Sequence, residues 1–222
     1  MSKIMMVVAT RDVVKYPWFY DYFHLLHKPD GSVAAFVHAA SPAAARNTLI
    51  TAALEHDCTH IFFIDDDMEL KPDTLERLMA HNKDVVGGFY LMHHYPHQGL
   101  TFTGEEKDGQ ALWHNVSTER GLLEVSHTGL GCVLFNLDVF KALEKPWVRL
   151  GQIKKDEWCD DVDLYNRVRA AGFKIYVDVD TPVGHMGEVI VRPSYRDGRW
   201  HVEYDTRGPQ CVAFPMVVEE GK

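Results

Sequence analysis

Ile61-Phe62-Phe63-Ile64-Asp65-Asp66-Asp67 is the stretch on which the fold turns. Four consecutive apolar residues predict a short strand buried on both faces, as in a parallel sheet covered by helices. The strand then runs straight into three carboxylates. Adjacent carboxylates repel, and each resists ionising beside the others, so a folded chain keeps such a cluster mostly where a cation neutralises it. Open α/β sheets bind ligands beyond the carboxyl ends of their strands. The cluster therefore points to a divalent cation gripping a phosphorylated ligand. The competing reading is helix capping near Pro72, for which a single Asp would suffice.

Outward from that strand the chain alternates. Ile4 to Ala9 and Val33 to Val37 are apolar runs that predict two further buried strands. Ser41-Pro42 predicts a helix start, a cap followed by proline in the first turn, continuing to about Leu54. A second helix follows Pro72, with Leu75, Leu78 and Met79 on one face, and Asp84 to Tyr90 returns as a strand broken by Gly87-Gly88. Gly131 to Phe135 predicts another strand, Leu137 to Leu143 a short helix, and Asp161 to Ala171 a helix ended by Gly172. Phe173, Ile175, Val177 and Val179 alternate as a strand. This order predicts an α/β fold with a mixed, mostly parallel sheet and helices on both faces. Residues 1–187 are expected to form one domain. Within it His93 to Glu124, rich in Gly, His and charge, is expected to form hairpins and a lid over the site. Residues 188–222 are expected to be a hairpin extension turning at Arg196-Asp197-Gly198-Arg199.

Composition narrows the function classes. The 222 residues are 46% hydrophobic and 25% charged, as in an ordinary globular domain long enough to bury a core. No apolar run reaches membrane-spanning length, and Met1-Ser2-Lys3 leads into a strand rather than a signal peptide, which predicts a cytoplasmic protein. A formal net charge of -9 argues against general affinity for nucleic acid or anionic membrane. Cys58, Cys132, Cys159 and Cys211 form no CxxC pair and read as free thiols. His93, His94 and His97 are interrupted by Pro96 and joined by no cysteine, which favours a loop over a zinc site.

Further features accompany the acidic strand end: Arg46-Asn47 on the preceding helix, Gly129-Leu130-Gly131 before a strand, Asp160-Asp161 at a helix start, and His185 after the last sheet strand. In this order Ala45-Arg46-Asn47, Phe63-Ile64-Asp65-Asp66-Asp67, Gly129-Leu130-Gly131-Cys132, Asp160-Asp161-Val162-Asp163-Leu164 and Gly184-His185 resemble the GT-A glycosyltransferases, especially family 2-like enzymes. The resemblance implies a nucleotide-sugar donor, most commonly a UDP-sugar, and Mn²⁺ or Mg²⁺ as cofactor. It assigns Asp65 and Asp67 to a DxD pair, Asp65 toward ribose or metal and Asp67 to the metal, with His185 completing the shell. It makes Asp161 the general base of an inverting reaction. Asp160 stands where Glu is usual, leaving the division of roles between Asp160 and Asp161 open. Thr10, Arg11, Arg46, Asn47, Asp65, Asp66, Gly129 and Gly131 are the expected substrate-binding residues, the arginines because a guanidinium offers paired planar donors.

The chemistry is coherent without the family. A cation stabilises a departing diphosphate, oxygen ligands with one imidazole suit Mn²⁺ or Mg²⁺, and a carboxylate across the anomeric carbon takes the acceptor's proton. Three alternatives compete, one of them a nucleotidyltransferase of related fold, which would show a Gly-rich, Lys- or Arg-bearing loop after the first strand, where Ala9-Thr10-Arg11-Asp12 has no glycine. A haloacid-dehalogenase-like phosphatase would carry its DxD on the first strand, with Thr or Val where Glu69 stands. A non-catalytic sugar- or metal-binding module would need the metal cluster but not Asp160-Asp161. The acceptor is open among glycan, protein, lipid head group and modified nucleic acid. Tyr195, Trp200 and Tyr204 among Arg192, Arg196, Arg199 and Arg207 are expected to shape its side.

Overall fold

A computed structural model describes residues 2–10, 17–39, 41–92, 97–102, 116, 118–149, 151–154, 157–187, 189–205 and 211–215. The first half holds β1 (Ile4–Thr10), α1 (Pro17–Leu25), β2 (Val33–His38), α2 (Pro42–Glu55), β3 (His60–Asp65), β4 (Met68–Glu69), α3 (Thr74–Ala80), β5 (Val85–Phe89) and β6 (Thr101–Phe102). There follow β7 (Leu122–Val125), β8 (His127–Thr128), β9 (Cys132–Asn136), α4 (Leu137–Lys141), β10 (Gly151–Lys154), β11 (Glu157–Cys159), α5 (Asp160–Ala170) and β12 (Ile175–Pro182). The chain closes with β13 (Gly184–Met186), β14 (Ile190–Arg196), β15 (Arg199–Asp205) and β16 (Cys211–Pro215).

The central sheet has the order β2-β1-β3-β9-β5-β12-β7. β2, β1, β3, β5 and β12 run one way; β9 and β7 run against their neighbours. Alternation along the strands divides the core in two. Met5, Val7, Ile61 and Phe63 pack with Leu49, Ile50 and Ala53 of α2 and with Leu164 and Val168 of α5. Ile4, Met6, Val8, Phe62 and Ile64 pack on the opposite face with Phe19, Leu26, Leu75 and Leu78 from the α1 and α3 regions. Both faces of the strand before the acidic cluster are therefore covered, as its unbroken apolar run predicts.

The chain leaves β1 for β2 on one side and returns through α2 to β3 on the other, so the crossover reverses between β1 and β3. Such a reversal opens a crevice at the carboxyl edge. Ala9 pairs with Asp65, and the Asp65 N–H donates to Gly131 O at 3.0 Å, which brings the ends of β1 and β3 and the approach to β9 level with one another. α2 descends from that edge. Ser41 caps it, its Oγ accepting the Ala44 N–H at 3.1 Å. Arg46 belongs to the buried stripe Ala45, Arg46, Leu49, Ile50, Ala53 and so faces the sheet near its carboxyl edge.

Several expectations need correction. α1 has no counterpart in the periodicity reading, although Phe19 and Leu26 are buried in its vicinity. Leu122 to Glu124, the end of the expected lid region, belong instead to β7, an edge strand of the central sheet paired to β12. His93, His94 and the expected turn at Lys107-Asp108-Gly109 lie outside the described residues. The tail is more than a hairpin. Asp197 and Gly198, with φ of 52° and 77°, make the expected turn between β14 and β15. These strands belong to a second sheet, β16-β15-β14-β13-β4, which begins beside the acidic cluster itself. Trp200 is buried against Phe89 and Tyr195, Arg120 lies over Tyr195 and Arg192 is ion-paired, while Arg196 and Arg199 are exposed; Arg192, Tyr195 and Trp200 line a cavity of about 720 Å³. Arg207 lies outside the described residues. No helix among the described residues is long and apolar enough to cross a membrane.

Candidate active site

The three carboxylates diverge as the chain turns from β3 into β4. Asp65 Oδ1 accepts from Arg46 Nη2 at 2.9 Å, Asp66 Oδ2 accepts from Thr10 Oγ1 at 2.6 Å, and Asp67 Oδ1 lies 3.5 Å from His185 Nε2. None of them caps the next helix, whose N-cap is Asp73. The backbone fixes the last pair: Met68 pairs with His185 across β4 and β13, and the Met186 N–H donates to Asp67 O at 2.7 Å. His185 Nδ1 is 2.8 Å from Leu91 O, which orients the ring so that Nε2 turns to Asp67.

The local electrostatics are those of a crowded, partly dry acidic site. Burial pushes the Asp65 carboxyl above the usual carboxylate range; the Arg46 guanidinium pulls it down and neighbouring Asp67 pushes it up again. Burial lowers the affinity of His185 for its proton, but the hydrogen bond and charge of Asp67 outweigh that, and its pKa ends raised.

Arg46, Asp65, Gly129, Asp161 and His185 all line one cleft of about 280 Å³ at the carboxyl edge, so the structure brings together residues up to 139 positions apart in sequence. Gly131 stands at its margin. A Cβ there would lie 3.0 Å from Tyr90 Oη and 3.2 Å from Asp65 Oδ2, and one on Gly129 would overlap the Tyr90 hydroxyl. Gly129 is thus required by the approach of Tyr90, while at Gly131 Met68 Cε, 2.5 Å from such a Cβ, crowds the position more closely than Tyr90 does, which adds a physical reason beyond low bulk. Asp161 lies in the first turn of α5, its Oδ1 accepting the Val162 N–H at 2.9 Å. Asp160 is the first residue of that helix. Asp163 is turned to Arg149 Nε at 2.8 Å, a structural pairing.

Not every expected residue meets the cleft. Asn47, expected at the substrate, is occupied elsewhere. Its Oδ1 accepts the N–H groups of Trp147 and Val148 at 2.9 and 3.2 Å, and its amide donates to Ala43 O at 2.7 Å and to Val148 O. It ties α2 to the segment after α4. Thr10 and Asp66 bond each other rather than lining the cleft. Arg11 lies outside the described residues. Conversely, Tyr90, Met68, Leu100 and Pro42 line the cleft without having been singled out. Tyr90 was findable, since it stands just beyond the carboxyl end of β5, where ligands to such sheets gather.

The donor types present suit a hard divalent cation: carboxylates and one imidazole, with no thiolate among them. Their geometry is less complete. Among the described residues no three His, Cys, Asp or Glu side chains converge to form a cage. Asp67 and His185 offer one edge, while Asp65 Oδ1 is turned to Arg46. An arrangement of one or two carboxylates fits a cation whose remaining ligands come from phosphate and water.

A family model described as Anp1 matches residues 39–102, less than a third of the chain. That segment runs from the approach to α2 through Arg46 and the acidic cluster to β6. Among solved structures, the crystal structure of A197 from STIV aligns with a TM-score of 0.57 at 14% identity, covering 99% of this chain and 97% of that one. No match was found among curated protein sequences. The likeness to A197 shows the fold, a mixed α/β architecture of GT-A type. Neither this likeness nor the Anp1 match singles out family 2.

Proposed function

We propose that this chain is a metal-dependent glycosyltransferase that takes a sugar from a nucleotide-diphosphate donor, a UDP-sugar foremost, and transfers it with inversion. The observation that carries this reading is the single cleft at the sheet's carboxyl edge, lined by Arg46, Asp65, Asp161 and His185. Asp67 and His185, with Asp65 alongside, would hold Mn²⁺ or Mg²⁺. When bound, the cation supplies charge stabilisation for the departing diphosphate.

The remaining work belongs to the chain's own groups. Arg46, itself 7% exposed, fixes Asp65 through its guanidinium and brings positive charge to a site that receives an anionic donor. Gly129 and Gly131 let backbone approach the ligand. Asp161, on the helix start that lines the cleft, takes the acceptor hydroxyl proton as the new glycosidic bond forms, and Asp160 is the second candidate for that role. The acceptor stays open among glycan, protein, lipid head group and modified nucleic acid. No specific observation favours a phosphatase or an inert binding module.

The experiment is a panel of nucleotide-sugars assayed for turnover with Mn²⁺, with Mg²⁺ and with chelator, alongside calorimetry of donor binding. Metal-dependent hydrolysis or transfer of one donor is expected. Equal donor affinity with and without chelator would remove the metal from the reading.

A further inference from the structure

Tyr90 stands just beyond β5, 3% exposed, as part of the cleft wall. Its hydroxyl accepts the Gly131 N–H at 2.9 Å, and among the described residues no group accepts the proton it carries. A phenol has one proton to donate besides its lone pairs, and buried donors are almost always satisfied. The position of this one is tightly determined. The ring meets the His185 ring edge-on at 5.5 Å and 89°. The oxygen is so close to Gly129 and Gly131 that a Cβ on either would crowd it. The hydroxyl therefore sits beside Asp65 with its proton left for whatever occupies the cleft. Burial and the charges of Asp65 and Asp161 hold the phenol well above its ordinary titration range, while Gly131 pulls the other way; the group is a donor at any working pH.

We propose that Tyr90 is a ligand-binding residue of this cleft, its hydroxyl donating to an oxygen of the nucleotide-sugar while it accepts the Gly131 N–H. The inference rests on the donor reading above and deepens it. The ligand oxygen is either a phosphate oxygen or a sugar hydroxyl, since both accept from a phenol.

The test uses the whole chain labelled with ¹³Cζ-tyrosine, observed by NMR with Mg²⁺ while UDP, GDP, UDP-glucose and GDP-mannose are added in turn, with calorimetry in parallel. The Tyr90 Cζ resonance, assigned through Tyr90→Phe or through contacts with the His185 ring protons, is expected to shift at saturation, with the exposed Tyr20 unmoved. A shift with UDP or GDP alone assigns the bond to phosphate; a shift only with the sugar-bearing nucleotides assigns it to the sugar. Tyr90→Phe is expected to weaken binding by about tenfold to a hundredfold, the range of a hydrogen bond involving a charged group. If that variant fails to fold because Gly131 loses its acceptor, the wild-type Cζ shift decides alone. Nucleotide binding with an unmoved Tyr90 resonance overturns the proposal. No binding of any of the four would instead remove the donor reading, and this proposal with it.

Discussion

On the cleft side of the β4–β13 ladder, His185 and Met68 line the 280 Å³ cleft, and His185 meets Asp67 at 3.5 Å. On the other side, Glu69 reaches across Gly184 to Arg192, facing a second cavity of about 720 Å³. The outer contacts are saturated. Arg192 grips both oxygens of Glu69, one through Nη2 at 2.7 Å, and donates to Asp205 at 3.0 Å; Tyr22 Oη also donates to Glu69 at 2.9 Å. A Cβ on Gly184 would overlap the Glu69 carboxylate, so the absent side chain is what lets the strut cross β13. Glu69 and Arg192 form a close, bidentate pair, the geometry of an architectural contact, whereas Asp67 and His185 meet at 3.5 Å with His185 in the cleft. An acidic side chain meets a nitrogen-bearing one on both sides; the geometry of the contact separates them.

The largest effect should come from the cleft. Asp161→Asn is expected to lower turnover by about 10² to 10⁴ while leaving donor affinity and thermal stability close to wild type, since a general base acts in the transition state. Steady-state kinetics on the identified donor and product NMR for anomeric configuration check this. Retention of configuration, or full activity in the variant, removes Asp161 from that role.

Breaking the outer side should cost stability first. Arg192→Met leaves Glu69 and Asp205 without their shared cation. With these groups partly exposed, a loss of about 1.5–3 kcal/mol is expected in denaturant unfolding. Gly184→Ala should lose about 1–3 kcal/mol through overpacking against Glu69. Unchanged unfolding midpoints for both would mean that the strut is decorative.

Asn47→Ala sharpens the same contrast on α2, one residue from Arg46. It should destabilise by about 1–3 kcal/mol, because the Trp147 and Val148 N–H groups lose their acceptor, with donor affinity unchanged. A selective loss of donor affinity without destabilisation would restore the substrate role first expected of it.

The smallest effect, a control away from both sides, concerns His60 at the start of β3. Burial lowers its pKa from 6.5, with Asp138 and Asp84 partly opposing. The unfolded chain therefore binds the proton more readily. Stability is retained above the unfolded value of 6.5 and lost as pH falls through it toward the folded pKa. His60→Gln should flatten that slope in urea titrations at stepped pH; an unchanged slope would exclude His60 as its source.

Much of the central sheet was legible because hydrophobic pattern acts locally. Ile4–Thr10 and His60–Asp65 announce buried strands, Ser41-Pro42 a capped helix, and Asp197-Gly198 a hairpin turn, each through backbone and side-chain preferences that need no distant partner. α1 was missed because the aromatic run Trp18-Phe19-Tyr20 blurs its period, with Trp18 and Tyr20 each 48% exposed beside buried Phe19. The reversed direction of β9 and the position of β7 were not legible, since strand direction depends on where a connection re-enters the sheet rather than on the strand's own residues.

The site divides along the same line. By itself the sequence determined that a buried strand ends in three carboxylates, that glycines precede β9, and that an acidic pair opens α5, all properties of neighbouring residues. Tertiary structure alone decided that Asp65 turns to Arg46, Asp66 to Thr10 and Asp67 to His185, that Asn47 serves the loop after α4, and that Tyr90 enters between the two glycines. The physical reason is reach: a carboxylate's partner is set by strand register and helix rotation across tens of residues, and a short-range pattern carries no record of either.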